Sequence, residues 1–198
     1  VNPLQFNNPD DLKKYPRTLD SDIQMLELAG CNALFVPEAS EVYSKDEKPL
    51  QFDLHNLANV MEGKFRPGHF TGVITIVHKL FLWIKPDFAY FGEKDFQQLA
   101  VIRKMADALH PDIVVKGCPT IRETNGLAMS SRNVRLSKSV RNDASIIYKA
   151  MQHARQLKNV MPVDEVCLKV RSMIEEVAPF KVEYVEIADA VNLQSLQQ

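Results

Sequence analysis

Apolar positions along the chain follow two rhythms. In one they recur every three or four residues, as on one face of a helix. In the other they form short unbroken runs that suit buried strands. From Thr18 to Gly30, residues Leu19, Ile23, Leu26 and Leu28 lie near helical spacing, with Asp20 and Asp22 in the first turn and Gly30 just past the last. Ala33-Leu34-Phe35-Val36 reads as a short buried strand stopped by Pro37. A small helix is expected from Leu54 to Glu62, closed by Gly63. Between Phe70 and Ile84 the positions Val73, Val77, Leu80, Phe81 and Ile84 keep helical spacing, which outweighs the β-branched content. That helix should stop before Pro86, because a proline disfavours helical geometry at the preceding Lys85.

Phe88 to Phe91 then reads as a strand, Phe96 to Leu109 as a helix and Ile113 to Lys116 as a second strand. Helix and strand alternating over short connections argue for parallel strands joined by right-handed crossovers. After Pro119 the texture changes. Thr120 to Ser137 is rich in Arg, Asn, Ser and Gly without a sustained apolar period, and is long for a plain connector. Helices over about Lys138–Leu157 and Val163–Val177 and a strand over Lys181–Ala188 complete the chain. The expected fold class is α/β, with helices on both faces of a parallel sheet over residues 1–119 and a smaller α+β piece over residues 120–198. Val1-Asn2-Pro3 itself reads like the end of a strand.

Composition narrows the function classes. The chain has 198 residues, enough for one domain and a fraction. Its 24 Lys and Arg against 25 Asp and Glu leave a net charge of −1, which removes the usual reason to expect a nucleic-acid or acidic-membrane partner. No apolar run approaches the ~18 residues of a membrane span. Cys31, Cys118 and Cys167 are scattered, as suits reduced thiols in the cytoplasm rather than disulfides or a zinc site. His55, His110 and His153 have no Cys or His companion at ligand spacing, so no side-chain metal site is expected.

Three segments carry candidate chemistry. In an open parallel sheet, ligands bind beyond the C-terminal ends of the strands, where a helix N-terminus offers free N–H groups to phosphate. Gly92-Glu93-Lys94-Asp95 stands at such a junction: Gly92 permits a sharp turn, Lys94 supplies a point charge and Asp95 is placed to cap the next helix. On spacing alone an ordinary turn with a solvated lysine is the plainer reading, since this is neither a GxGxxG nor a Walker A loop. Thr124 to Asn133 contains Ser130, Ser131 and Arg132, whose hydroxyls and guanidinium fork could wrap a polyphosphate; a polar surface loop is the plainer reading. Gln5, just past a strand end, could bond a hydroxyl or carboxylate, though a strand-end loop is the plainer reading of the local chemistry. His69 reads as a helix-start or packing residue, His78 as a satisfied histidine, Asp10 and Asp11 as helix-start charges, and Trp83 as core.

Taken jointly, five ordered blocks resemble the pantothenate synthetase (pantoate–β-alanine ligase) family. They are Val1-Asn2-Pro3-Leu4-Gln5-Phe6, Tyr15-Pro16-Arg17-Thr18, Arg66 through Val73, Phe91 through Leu99, and Pro119-Thr120-Ile121-Arg122-Glu123 continuing through Gly126 to Asn133. The resemblance implies a Rossmann-like nucleotidyl-transferase domain with a C-terminal lid, assembled as a cytoplasmic homodimer. It implies Mg2+ and ATP as co-substrate: pantoate is activated to pantoyl adenylate with release of pyrophosphate, and the amine of β-alanine then displaces AMP. Carried over by motif, Gly92, Glu93, Lys94 and Asp95 contact ATP, with Lys94 on the phosphates, and Gln5 and Gln98 bind pantoate. Ile121 meets adenine through its backbone, and Met129, Ser130, Ser131 and Arg132 form a mobile ATP loop. Lys94, Ser130, Ser131 and Arg132 are the expected catalytic residues. The family's upstream strand and His-x-Gly-His motif have no counterpart here, and the chain stops short of the family's terminal strands, so the sequence reads as truncated at both ends and is expected to be inactive or poorly folded alone. A non-catalytic nucleotide-binding fragment, or another nucleotidyl transferase of the same superfamily, stands as the alternative.

Overall fold

The strongest helical period, Phe70 to Ile84, forms the central helix, and the rest of the first domain is arranged around it. The computed structural model describes residues 1–196; the last two residues of the expected 120–198 segment lie outside them. Pro3–Gln5 makes one 3-10 turn, and three short helices follow: α1 (Pro9–Lys14), α2 (Leu19–Leu28) and α3 (Ala39–Val42). A 3-10 turn at His55–Ala58 and α4 (Glu62–Phe65) lead into α5 (His69–Ile84), β1 (Phe88–Gly92), α6 (Phe96–Leu109) and β2 (Val114–Cys118). Beyond a 3-10 turn at Ser131–Arg135 come α7 (Lys138–Asp143), α8 (Ser145–Leu157) and α9 (Val163–Glu175).

β1 and β2 pair in parallel, Phe88 opposite Val114 through Gly92 opposite Cys118, with α6 as the crossover, as the alternation requires. Phe70, Val73, Ile74, Val77 and Phe81 of α5 pack with Val101, Ile102, Met105 and Ala106 of α6 to make the main core. A second core joins α8 to α9 through Ala150, Val166, Val170 and Ile174. α2 ends as its sequence demands: Gly30 takes φ +79°, with Cys31 N–H on Leu26 O and Gly30 N–H on Glu27 O. α5 ends at Ile84, two residues before Pro86, with Lys85 between them at φ 49°.

Several expectations fail. Ala33–Val36 forms no strand, and Leu34, Phe35 and Val36 are exposed; a strand needs a partner for its N–H and C=O row, and among the described residues none lies beside this segment. Trp83 lies at the surface, 46% exposed, edge-on to Phe35 rather than in the core. The expected Leu54–Glu62 helix is only a 3-10 turn at His55–Ala58, and Gly63 does not close it: Gly63 lies inside α4, where a Cβ would sit 2.0 Å from Ala58 O. Lys181–Ala188 packs Val182, Val185 and Ile187 on the second core but has only an isolated bridge, Ala188 to Ser195, in place of a ladder. The expected Lys138–Leu157 helix is also broken at Ala144. At residues 1–3, Asn2 is extended, but the chain turns at once into the 3-10 turn, which Asn2 caps.

Candidate active site

β1 ends at Gly92, and the chain turns through Glu93–Asp95 directly into α6, so the first turn of α6 faces the region beyond the strand's C-terminal edge. A cleft of about 560 Å³ opens there, lined by Lys94, Asp95 and Gln98 from this junction, Gln5 from the first 3-10 turn, and Met129, Ser130, Ser131 and Arg132 from the long loop. Segments far apart in sequence thus converge on one concave surface. A larger cavity of about 730 Å³ lies between α6, His55–Leu57 and Ala190–Gln194; it shares only Phe96 with the cleft and is lined by none of the expected ATP- or pantoate-binding residues.

Each side chain is held by identifiable contacts. Lys94 Nζ lies 3.1 Å from Asp95 Oδ1, an exposed pair. Asp95 occupies the cap position of α6, but its side chain makes no cap bond, contrary to the sequence expectation; its carboxylate is engaged by Lys94. The backbone of Gln5 is pinned from the start of α5 and the segment before it: its carbonyl accepts from His69 Nδ1 at 2.8 Å and from Arg66 Nη2 at 3.3 Å. Because a carbonyl can only accept, His69 carries its proton on Nδ1, and burial holds its pKa below the usual imidazole value, so the ring is neutral near pH 7. Gln97 and Gln98 are neighbours with different tasks. Gln97 is buried, bonding Leu57 O at 2.7 Å, Val60 O at 2.8 Å and Glu62 N–H at 3.0 Å, whereas the half-buried Gln98 faces the cleft.

The long loop is docked rather than loose. Ser130 caps the Ser131–Arg135 turn by accepting from Arg132 N–H. Ser131 Oγ donates to Tyr15 Oη at 2.9 Å, Arg132 Nη2 reaches Asp11 Oδ2 at 2.7 Å, and Arg135 Nη1 reaches Asp11 Oδ1 at 3.0 Å. Arg132 also lies over the Tyr15 ring, 4.8 Å from its centroid. Hydrogen bonding from Arg132 is the main reason that the Asp11 carboxyl is held below its usual pKa. At the loop's base, Glu123 accepts from Arg141 and Asn133, which fixes the point from which residues 129–132 project.

Gly92, Glu93 and Ile121 are not brought to the cleft wall. Gly92 ends β1, Glu93 Oε1 lies beside Gly117, and Ile121 is exposed, with its carbonyl accepting from Met129 N–H at 2.9 Å. Sequence reasoning passed over His69, Asp11 and Tyr184, all of which touch the site or its loop. Tyr184 lines the cleft from the C-terminal piece, stacks on Phe65 and donates to Glu62 Oε1 at 3.1 Å. The Arg66-to-Val73 block carried the one available signal for His69; nothing local marked the other two. His78 does find a partner, His110, at 2.8 Å, a pairing that the sequence spacing hides.

A family profile described as pantoate-beta-alanine ligase matches residues 1–198. The chain belongs to the pantoate-beta-alanine ligase family. Pantothenate synthetases from Porphyromonas gingivalis and Bacteroides fragilis are 46% and 47% identical to it over 196 residues, 99% of this chain and 69% of each relative. The crystal structure of pantothenate synthetase from Thermus thermophilus superposes with a TM-score of 0.92 at 40% identity, covering 99% of this chain and 71% of that one. Pantoate-beta-alanine ligase from Francisella tularensis, complexed with beta-gamma ATP and beta-alanine, superposes at 0.75 with 37% identity, covering 87% and 65%. The α/β architecture of a pantoate-beta-alanine ligase is therefore this chain's own, and the cleft described above is formed by the motif segments that first suggested the family.

Proposed function

We propose that this chain joins pantoate to β-alanine using ATP, and that the cleft beyond β1 is where it does so. The observation that carries the reading is the convergence of Gln5, Lys94, Gln98 and Ser130–Arg132 on one cleft. The chemistry needs two steps. A pantoate carboxylate oxygen attacks the α-phosphorus of ATP, forming the P–O bond of pantoyl adenylate as pyrophosphate leaves. The β-alanine amine then attacks the activated carbonyl, the C–O bond to phosphate breaks, and AMP departs as the amide forms and the amine loses its proton.

No protein nucleophile takes part, so the protein's contribution is positioning and charge stabilisation. Gln5 and Gln98 offer amides to the hydroxyl and carboxylate of a hydroxy acid. Lys94 supplies a compact positive charge at the start of α6, where the helix N-terminus also favours an anion. Ser130 and Ser131 supply hydroxyls, and Arg132 a planar fork of donors. With Nη2 committed to Asp11, the other guanidinium donors of Arg132 remain for phosphate oxygens. Gly92, Glu93 and Ile121 serve the nucleotide in this reading from the cleft's margin. Mg2+ binds through one or two carboxylates plus substrate phosphates rather than in an all-protein cage. Asp95 is the carboxylate beside Lys94, and no cluster of three or more His, Cys, Asp or Glu occurs among the described residues. The ion would arrive with the triphosphate and offset its charge.

The reading includes a homodimer in the cytoplasm, on the ground of the family resemblance, and a division near residue 119, which the two separate cores support. No helix among the described residues is long and apolar enough to cross a membrane. Pantoate labelled with 18O in its carboxylate tests the chemistry: one labelled oxygen should appear in AMP. Label found in pyrophosphate or in ADP instead would overturn the adenylate route.

A further inference from the structure

We infer that Tyr43 is a positioning residue for pantoate, acting through Asn2 to fix which end of the Gln5 side-chain amide faces the cleft. The inference rests on the reading above in which Gln5 meets pantoate, and it assigns a role to a residue outside every motif segment.

Asn2 is the hinge of the relay, and its partners leave it only one orientation. One end of its side chain faces Gly72 O at 3.1 Å, a group that can only accept, so that end is Nδ2. The other faces Leu4 N–H at 3.3 Å, a group that can only donate, so that end is Oδ1. Tyr43 Oη donates to the same Oδ1 at 2.7 Å, the shortest bond Asn2 makes. The remaining Nδ2 proton goes to Gln5 at 3.0 Å, and only the Gln5 carbonyl oxygen can receive it. Gln5 is thereby held with Oε1 turned inward to Asn2 and both Nε2 protons left for the cleft. A donor pair suits the carboxylate or hydroxyl oxygens of a hydroxy acid. The flipped amide would present an acceptor and repel a carboxylate.

Tyr43 is well placed to hold this arrangement steady. It follows α3 directly, half-buried, with Lys79 of α5 over its ring at 5.7 Å and Lys79 paired to Glu47 on the same segment. Burial, with the Glu47 charge second, pushes its hydroxyl up to about 12, so it stays a donor at any pH at which the protein functions. Tyr43 does not line the cleft, so its effect on substrate has to travel through Asn2 and Gln5.

The test is steady-state kinetics on the intact enzyme with Tyr43→Phe, Gln5→Glu, Gln5→Ala and the Tyr43→Phe/Gln5→Ala double variant. Losing the phenol hydroxyl should raise KM for pantoate about three- to tenfold, with KM for ATP and the melting temperature unchanged. Glu at position 5 can still accept from Asn2 but cannot donate, and should raise KM for pantoate further. In the Gln5→Ala background the tyrosine change should have no further effect. An unchanged KM for pantoate in Gln5→Glu would remove Gln5 from the substrate site and overturn both readings. A raised KM in Gln5→Glu with none in Tyr43→Phe would overturn the relay alone. An equal Tyr43→Phe effect with and without Gln5, or a fall in melting temperature that moves both KM values together, would likewise overturn it.

Discussion

Replacing Gly72 by alanine should damage activity far more than it damages stability. Gly72 is the fourth residue of α5, and an added Cβ would sit 2.3 Å from Leu4 O, 2.5 Å from Leu4 C and 2.8 Å from Gln5 N, below the 3.0 Å that real Cβ contacts essentially never undercut. All three atoms are backbone, so no side chain can swing away. The 3-10 turn carrying Gln5 has to retreat by roughly 1 Å to restore ordinary contact. Overpacking of this kind costs about 1–3 kcal/mol, while alanine in a helix interior recovers up to about 1 kcal/mol relative to glycine. The net loss of stability is therefore modest, about 0–2 kcal/mol. The geometric loss is not: a displacement of about 1 Å at a substrate-orienting group can reduce the rate by a factor of about 100. The assay is kcat/KM for pantoate alongside the thermal midpoint, with a fall of about 10- to 100-fold expected in the first and a few degrees at most in the second. A Gly72→Ala enzyme within twofold of the parent for pantoate would refute the claim that α5 sets the position of Gln5.

Two further outcomes follow from the same geometry. The Asp11 carboxyl has its pKa lowered on folding, so the ion pairs with Arg132 and Arg135 stabilise the protein above the ordinary aspartate range, and that contribution is lost as pH falls through the lowered value. These pairs are partly exposed and screened, so Asp11→Asn should cost only about 0.5–1 kcal/mol at pH 7. The difference in thermal midpoint between parent and variant should hold from about pH 7 to 5 and shrink only below the ordinary aspartate range, as pH falls through the lowered value; a difference that has already vanished by about pH 5 would contradict the assignment. The adjacent glutamines should separate cleanly: Gln97→Leu strands Leu57 O, Val60 O and Glu62 N–H and should cost about 2–4 kcal/mol by chemical denaturation. Gln98→Leu should leave the denaturation midpoint in place and raise KM for pantoate, and the reverse pattern would exchange their roles.

The parts of the fold that are legible in the sequence are those whose causes are local. α2, α5, β1, α6 and β2 announce themselves by apolar spacing, and some by their own stops, such as Gly30 past α2 and Pro86 past α5. What escapes is whatever depends on a distant neighbour. Ala33–Val36 has strand composition, but a strand exists only beside another, and among the described residues none is there. Gly63 carries the mark of a helix end, yet its reason is the closeness of Ala58 O. The site shows the same division. Lys94, Gln98 and Ser130–Arg132 lie in recognisable segments, and the cleft gathers them. The docking of the long loop on Asp11 and Tyr15, the imidazole of His69 under Gln5 and the reach of Tyr184 to Glu62 are contacts between segments with no shared period or spacing. Asp95 shows that even a local rule can yield, since an adjacent lysine takes the carboxylate that would have capped α6.

The central claim is that pantoate is activated as an acyl adenylate before the amine is needed. Exchange of labelled pyrophosphate into ATP, measured on the intact enzyme with Mg2+, tests that order directly. The account predicts exchange that requires pantoate and proceeds without β-alanine. Exchange in the absence of pantoate, or exchange that appears only when β-alanine is added, would contradict it.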